Sequence, residues 1–170
     1  MTAFKRLFYA IWPDIDVKNQ LVAVSRQIKS DKVVPPDNLH LTLLFLGQVD
    51  DKLYDALVIE TNQLHHNKFS LELTDSGRFK RSGIFWLAPN SYPDELIKLV
   101  NNLSDLAVKN NIFIDDRPYR PHVTLARNIK SNMRINPPSI PWSVSNFCLV
   151  ESKTLPQGAN YQILHSWSLT

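Results

Sequence analysis

A strand–helix–strand pattern occurs twice in this chain, in the same order and with the same punctuation. The first copy opens with an aromatic strand, Arg6-Leu7-Phe8-Tyr9-Ala10-Ile11, ended by Pro13. Asp14 then caps a helix whose apolar positions Val17, Leu21, Val24 and Ile28 share one face. Pro35-Pro36-Asp37-Asn38 breaks the chain before an apolar strand, Leu39 to Leu46, that Gly47 stops. From Gly83 every item returns: the strand Ile84-Phe85-Trp86-Leu87-Ala88, the helix start Pro93-Asp94-Glu95, and a helix with Leu96, Leu99, Val100, Leu103 and Ala107 on one face. Pro118 and Pro121 follow, then the strand His122 to Arg127.

Each copy ends in a strand that carries His-x-Thr: His40-Leu41-Thr42 and His122-Val123-Thr124. Five histidines and seven threonines in 170 residues give about 0.2 such triplets by chance, so two at matching places in a repeat is a strong signal. Duplicated units of this size pack as two lobes about a pseudo-twofold axis, which brings His40 and His122 toward one another across a cleft. Between the copies a helix is expected from about Asp51 to Leu64 and a half-buried strand at Phe69, Leu71 and Leu73. After them, a Pro-rich connection from Pro137 to Pro141 leads to two closing strands, Val144 to Val150 and Tyr161 to Leu169. No linker is long enough to separate independent units, so residues 1–170 read as one domain.

Residues two apart on a strand point to one face, about 6.6 Å apart at Cα, so each His converges with its Thr on one ligand-sized site. An imidazole with an unperturbed pKa near 6.5 can be acid in one copy and base in the other, while a hydroxyl hydrogen-bonds a phosphate oxygen. Two such motifs face to face suit hydrolysis or transfer at a phosphodiester without a metal. A metal site needs three or four ligands, and Asp37, Asp115 and Asp116 share no strand face with either motif histidine; they read as turn residues. His65-His66 reads as a helix C-terminal pair and His165 as a strand surface residue.

Composition excludes other chemistry. The chain has only Gly47, Gly77, Gly83 and Gly158, so no phosphate-cradling or dinucleotide-binding glycine loop can form. No Gly-x-Ser-x-Gly elbow occurs. The single cysteine, Cys148 in Phe147-Cys148-Leu149-Val150, reads as a core residue of a protein in a reducing compartment. No apolar run is long enough for a secretion signal or membrane span, so a soluble, cytoplasmic protein is expected. Charge is uneven. Residues 1–116 carry 13 basic and 15 acidic side chains, whereas residues 117–170 carry six basic (Arg117, Arg120, Arg127, Lys130, Arg134, Lys153) and one acidic, Glu151. Arg117, Arg120 and Arg127 bracket His122, which makes this stretch a wall for an anionic substrate, with binding that weakens as salt rises.

His40-Leu41-Thr42-Leu43 and His122-Val123-Thr124-Leu125 resemble the paired His-x-Thr-x motifs of the two-histidine phosphoesterases. More narrowly, the chain resembles the RNA 2′,3′-cyclic phosphodiesterases, also called 2′-5′ RNA ligases, through Arg6 to Ile11, Pro36 to Gly47, Arg117 to Arg127 and Tyr161 to Leu169. The resemblance implies an α+β fold of two pseudo-symmetric lobes, each with an antiparallel sheet and outer helices, meeting at a cleft. It implies hydrolysis of an RNA terminal 2′,3′-cyclic phosphate to a 2′-phosphomonoester, with reversible 2′-5′ ligation as a side reaction and no metal or other cofactor. His40 would be the proton donor and His122 the proton acceptor. Thr42 and Thr124 would bind phosphate oxygens, and Arg127 would help neutralise the phosphate. A regular strand puts Arg127 on the face opposite His122, so that role requires a bulge or a strand end. The expected partners are RNA ends or nucleotides carrying the cyclic phosphate, with no membrane and no obligate protein partner, the chain acting as a monomer.

Two alternatives stand beside this reading. One is a related phosphodiesterase for a different small cyclic phosphate. The other is a binding module for single-stranded RNA ends, with Phe8, Tyr9, Tyr119 or Trp142 exposed to stack on bases.

Overall fold

The computed structural model describes residues 4–130, 133, 135–156 and 158–170; Arg134 of the basic stretch lies outside the described residues. The described residues form eight strands and three α-helices. They are β1 (Phe4–Ile11), α1 (Ile15–Ser25), β2 (Leu41–Asp50), α2 (Asp51–Thr61), β3 (Phe69–Phe79) and β4 (Ile84–Pro89). Then come α3 (Asp94–Lys109), β5 (Val123–Ala126), β6 (Ile140–Val144), β7 (Asn146–Leu155) and β8 (Gly158–Ser168).

The strands form an antiparallel sheet in the order β6-β3-β4-β5-β2-β1-β7-β8. That order is symmetric about the β5–β2 junction. The unit β1-α1-β2 on one side matches β4-α3-β5 on the other, and this is the duplication seen in the sequence. The two expected lobes are therefore four-stranded halves of a continuous sheet, joined where Leu41 pairs with Val123.

Helix starts follow their caps. Asp14 accepts from the Val17 amide at 2.9 Å and Asp50 from the Leu53 amide at 2.8 Å, each satisfying an orphan donor at a helix N-terminus. In α3, Asp94 and Glu95 in the first turn and Lys109 in the last complement the helix dipole. Its Leu96, Leu99, Leu103 and Ala107 are fully buried, each large side chain contributing about 1.5–3 kcal/mol. The helices cross over: α1 packs against β5 and β6 of the other half, and α3 against β2 and α2. Each half thus covers the apolar face of its counterpart, which locks the two together. Among the described residues, no helix is long and apolar enough to cross a membrane.

Three expected boundaries move. Gly47 does not stop β2, which runs on to Asp50; a bulge near Leu46, with Gly47 at φ +74°, absorbs the kink. Helix α1 ends at Ser25, although Ile28 beyond it is still buried, and α2 ends at Thr61 rather than Leu64. Strand β6 begins inside the Pro-rich connection, and in it Pro141 pairs with Glu72. Because β6 is an edge strand, the missing proline N–H costs no ladder bond.

The sheet's two faces differ. The main core lies between one face and the helices. On the other face Phe8, Ala10, Cys148 and Val150 form a small separate cluster, with Trp12 and Tyr161 packed against it.

Candidate active site

The β2–β5 junction places the two His-x-Thr motifs. Leu41 and Val123 pair across it, and both are fully buried in the main core. Side chains alternate, so His40, Thr42, His122 and Thr124 share the opposite face, where all four are half-buried. The antiparallel register sets His40 opposite Thr124 and Thr42 opposite His122. The arrangement is crossed: each imidazole has the other motif's hydroxyl as its neighbour across the junction.

The rings are held alike at one end. Nδ1–H of His40 donates to the Asn38 carbonyl, and Nδ1–H of His122 to the Arg120 carbonyl, both at 2.7 Å. A carbonyl only accepts, so Nδ1 carries the proton and the neutral ring presents Nε2 as its base. The surroundings differ. Trp12 stacks on His40 with centroids 4.8 Å apart and planes 8° apart, Phe8 lies at 5.1 Å and Tyr161 meets the ring edge-on at 5.1 Å. His122 has Phe79 edge-on at 5.1 Å.

This aromatic box shifts the chemistry of His40. Burial, with smaller contributions from the positive charges of Arg127 and His122, lowers its pKa to about 4 against the pull of the Asn38 carbonyl. His122 is also lowered, first by burial and then by Arg127, against the Arg120 carbonyl. Both imidazoles are therefore neutral in the free protein at pH 7.

The charge of Arg127 acts on both rings. The irregularity its role demands is present twice: a bulge leaves Leu125 without a β4 partner between Thr124 and Ala126, and β5 ends at Ala126, just before Arg127. Asn128 then turns at φ +58°. The segment at Lys32 to Val34 fixes this strand end, with the Arg127 amide donating to the Lys32 carbonyl at 2.9 Å and the Val34 amide to the Leu125 carbonyl at 2.8 Å.

Other candidates sit elsewhere. Asp37 pairs with Lys18 at 3.0 Å on the surface, and Asp115 is paired with Arg117, so Arg117 is no free cation beside His122. Among the described residues no three His, Cys, Asp or Glu side chains are grouped as a metal site needs. His66 lies near the Asn102 amide, and the His165 ring is 4.4 Å from Trp167. Cys148 is buried and free, its thiol pushed up to about 11 by burial. Of the four aromatics considered for base stacking, Phe8, Tyr9 and Trp142 are buried, Tyr9 and Trp142 in the main core and Phe8 in the small cluster. Tyr119 is half-buried and donates its hydroxyl to the Thr42 carbonyl at 3.0 Å. The residues that sequence reasoning missed are Trp12, Tyr161 and Phe79. The available signal was register: with Ile11 opposite Leu41, Trp12 falls beside His40.

The fold and site are thus a duplicated antiparallel sheet with a His-x-Thr motif at each of its two central strands, consistent with the two-histidine phosphoesterases that the sequence resembles. The family model of the 2'-5' RNA ligase superfamily matches residues 13–154. The chain is 34% identical over 175 residues to the RNA 2′,3′-cyclic phosphodiesterase of Escherichia coli (strain K12), covering 100% of this chain and 99% of that one. It is 33% identical over 184 residues to the RNA 2′,3′-cyclic phosphodiesterase of Thermus thermophilus, covering 96% and 90%. The crystal structure of E. coli LigT complexed with 3′-AMP matches with TM-score 0.93 and 32% identity, covering 99% of each chain; LigT has also been crystallised with ATP and with phosphate. The chain belongs to the 2'-5' RNA ligase superfamily.

Proposed function

We propose that residues 1–170 form one two-histidine phosphoesterase domain that opens the 2′,3′-cyclic phosphate at an RNA end to a 2′-phosphomonoester. The crossed pairing of the two motifs over the Leu41–Val123 junction carries this reading. The superfamily membership and the names of the relatives support it.

The phosphate sits between the motifs. Thr42 and Thr124 donate hydroxyls to its non-bridging oxygens, and Arg127 offsets its negative charge. Nε2 of neutral His122 takes a proton from water as the water oxygen bonds to phosphorus. The bond from phosphorus to O3′ breaks, and Nε2–H of protonated His40 gives its proton to the leaving oxygen. His40 is neutral in the free protein, so it acquires that proton with the anion: a phosphate charge beside it reverses the lowering imposed by burial and Arg127. A 5′-hydroxyl in place of water gives a 2′-5′ linkage by the same steps, and every step is reversible. No metal or cofactor enters. The chain acts as a monomer in the cytoplasm on RNA ends or nucleotides carrying the cyclic phosphate, in keeping with the buried free thiol of Cys148.

The test is a nucleoside 2′,3′-cyclic phosphate incubated with the protein in EDTA, followed by phosphorus NMR. A 2′-monoester whose formation falls by two or more orders of magnitude in His40→Ala and in His122→Ala is expected. A 3′-monoester, or undiminished turnover in either variant, overturns the assignment.

A further inference from the structure

Four cations gather beside Arg127, and the reaction at the cyclic phosphate uses none of the four. Lys80 and Arg81 occupy the turn between β3 and β4, closed by the Gly83 amide donating to the Phe79 carbonyl at 2.9 Å. That turn is anchored at both ends. The Phe79 ring stands edge-on to His122, and the Gly83 carbonyl accepts from the Ile129 amide at 2.9 Å, while Arg78 donates to the Ile129 carbonyl at 3.1 Å. Ile129 lies between Arg127 and Lys130, and the Lys32 carbonyl accepts from the Arg127 amide. Three segments far apart in sequence thus bring Lys32, Lys80, Arg81, Arg127 and Lys130 to one end of the β3-β4-β5 half. All five are exposed, and among the described residues none forms an ion pair. Asp31 is the one acidic side chain within these segments.

Unpaired like charges held together repel one another, which costs stability unless an anion offsets them. The patch begins at Arg127, whose charge reaches both imidazoles, so it is continuous with the proposed phosphate site. We infer that this cluster is a track for the phosphodiester backbone upstream of the cyclic end, so that the preferred substrate is an oligonucleotide rather than a free nucleotide. The inference rests on the proposed function and extends it to a second binding region. The basic wall is thereby relocated: Lys32, Lys80 and Arg81 come from the part of the chain with a net negative charge, and Arg117 is excluded by its pairing with Asp115.

The experiment compares a short single-stranded RNA ending in a 2′,3′-cyclic phosphate with the corresponding nucleoside 2′,3′-cyclic phosphate, over a range of salt. The double variant Lys80→Glu/Arg81→Glu is expected to raise KM for the oligonucleotide at least tenfold and to leave the nucleoside substrate within twofold. Each lost phosphate contact lowers the salt slope by about 0.7, so a fall of about 1.4 is expected. The charge-conserving Lys80→Arg/Arg81→Lys should behave as the parent, which separates charge from folding. Equal losses on both substrates, an unchanged oligonucleotide KM, or a parent protein with no oligonucleotide preference overturns the track while leaving the proposed function standing. A parent that opens neither cyclic phosphate overturns both.

Discussion

Leu41 and Val123 pair across the β2–β5 junction with both side chains in the core, and this one register places each threonine beside the other motif's histidine. A slip of either strand by one residue would turn its own histidine and threonine toward the core. Because the two hydroxyls approach from different halves, neither can replace the other. Thr42→Val and Thr124→Val keep a β-branched side chain and delete one donor each. A hydrogen bond to a charged group contributes about 1.5–3 kcal/mol, so each variant should lose about 10- to 100-fold in kcat/KM on a nucleoside 2′,3′-cyclic phosphate. A loss confined to one of the two would show that a single motif holds the phosphate.

Arg127 lowers the pKa of both His40 and His122. Replacing it with Gln removes a positive neighbour from each imidazole, which favours the protonated rings and raises both values. The bell-shaped pH profile of kcat/KM should therefore move as a whole toward alkaline pH, with KM rising as the phosphate loses its counter-charge. A profile fixed in pH would show that the guanidinium charge does not reach the reacting groups.

Trp12 covers one face of His40 in a parallel stack. Burial is the largest cause of the lowered His40 pKa, so Trp12→Ala, which admits water to that face, should raise it from about 4 toward 6.5. Trp12→Phe retains a ring and should move it less. Ring-proton NMR titration of His40 in the three proteins reads this directly, and identical titrations would sink the argument.

How much of this was legible in the sequence depends on whether the information was local. The repeat, the cap at Asp14, the helix start at Pro93-Asp94-Glu95 and the paired motifs were legible because each is written in residues a few positions apart. The need for a bulge before Arg127 was legible too, since strand alternation alone puts it on the wrong face. Strand β6 was hidden by Pro141, which reads as a breaker unless the strand lies at a sheet edge. The crossing of α1 and α3 onto opposite halves was not legible, because an amphipathic stripe says which face is buried and not against what. Tyr161 and Phe79 reach the histidines only through the three-dimensional fold.

The neutral histidines also set an acid limit on stability. An unfolded imidazole takes up a proton near pH 6.5, whereas His40 in the folded protein holds off until about 4. Between those values the unfolded chain binds more protons, so stability is fully present above pH 6.5 and falls as pH drops toward 4. His40 accounts for a loss on the order of 3 kcal/mol across that window, and His122, also lowered, adds in the same direction. Carboxylates held low by a cation, such as Glu60 beside Lys109 and Asp115 beside Arg117, act in the same direction at the acid end of this window and below it. Urea unfolding of the parent and of His40→Asn should therefore differ in slope against pH between 6.5 and 4, the variant losing less stability on acidification. Parallel stability curves across that range would mean that His40 is not held neutral by its aromatic surroundings.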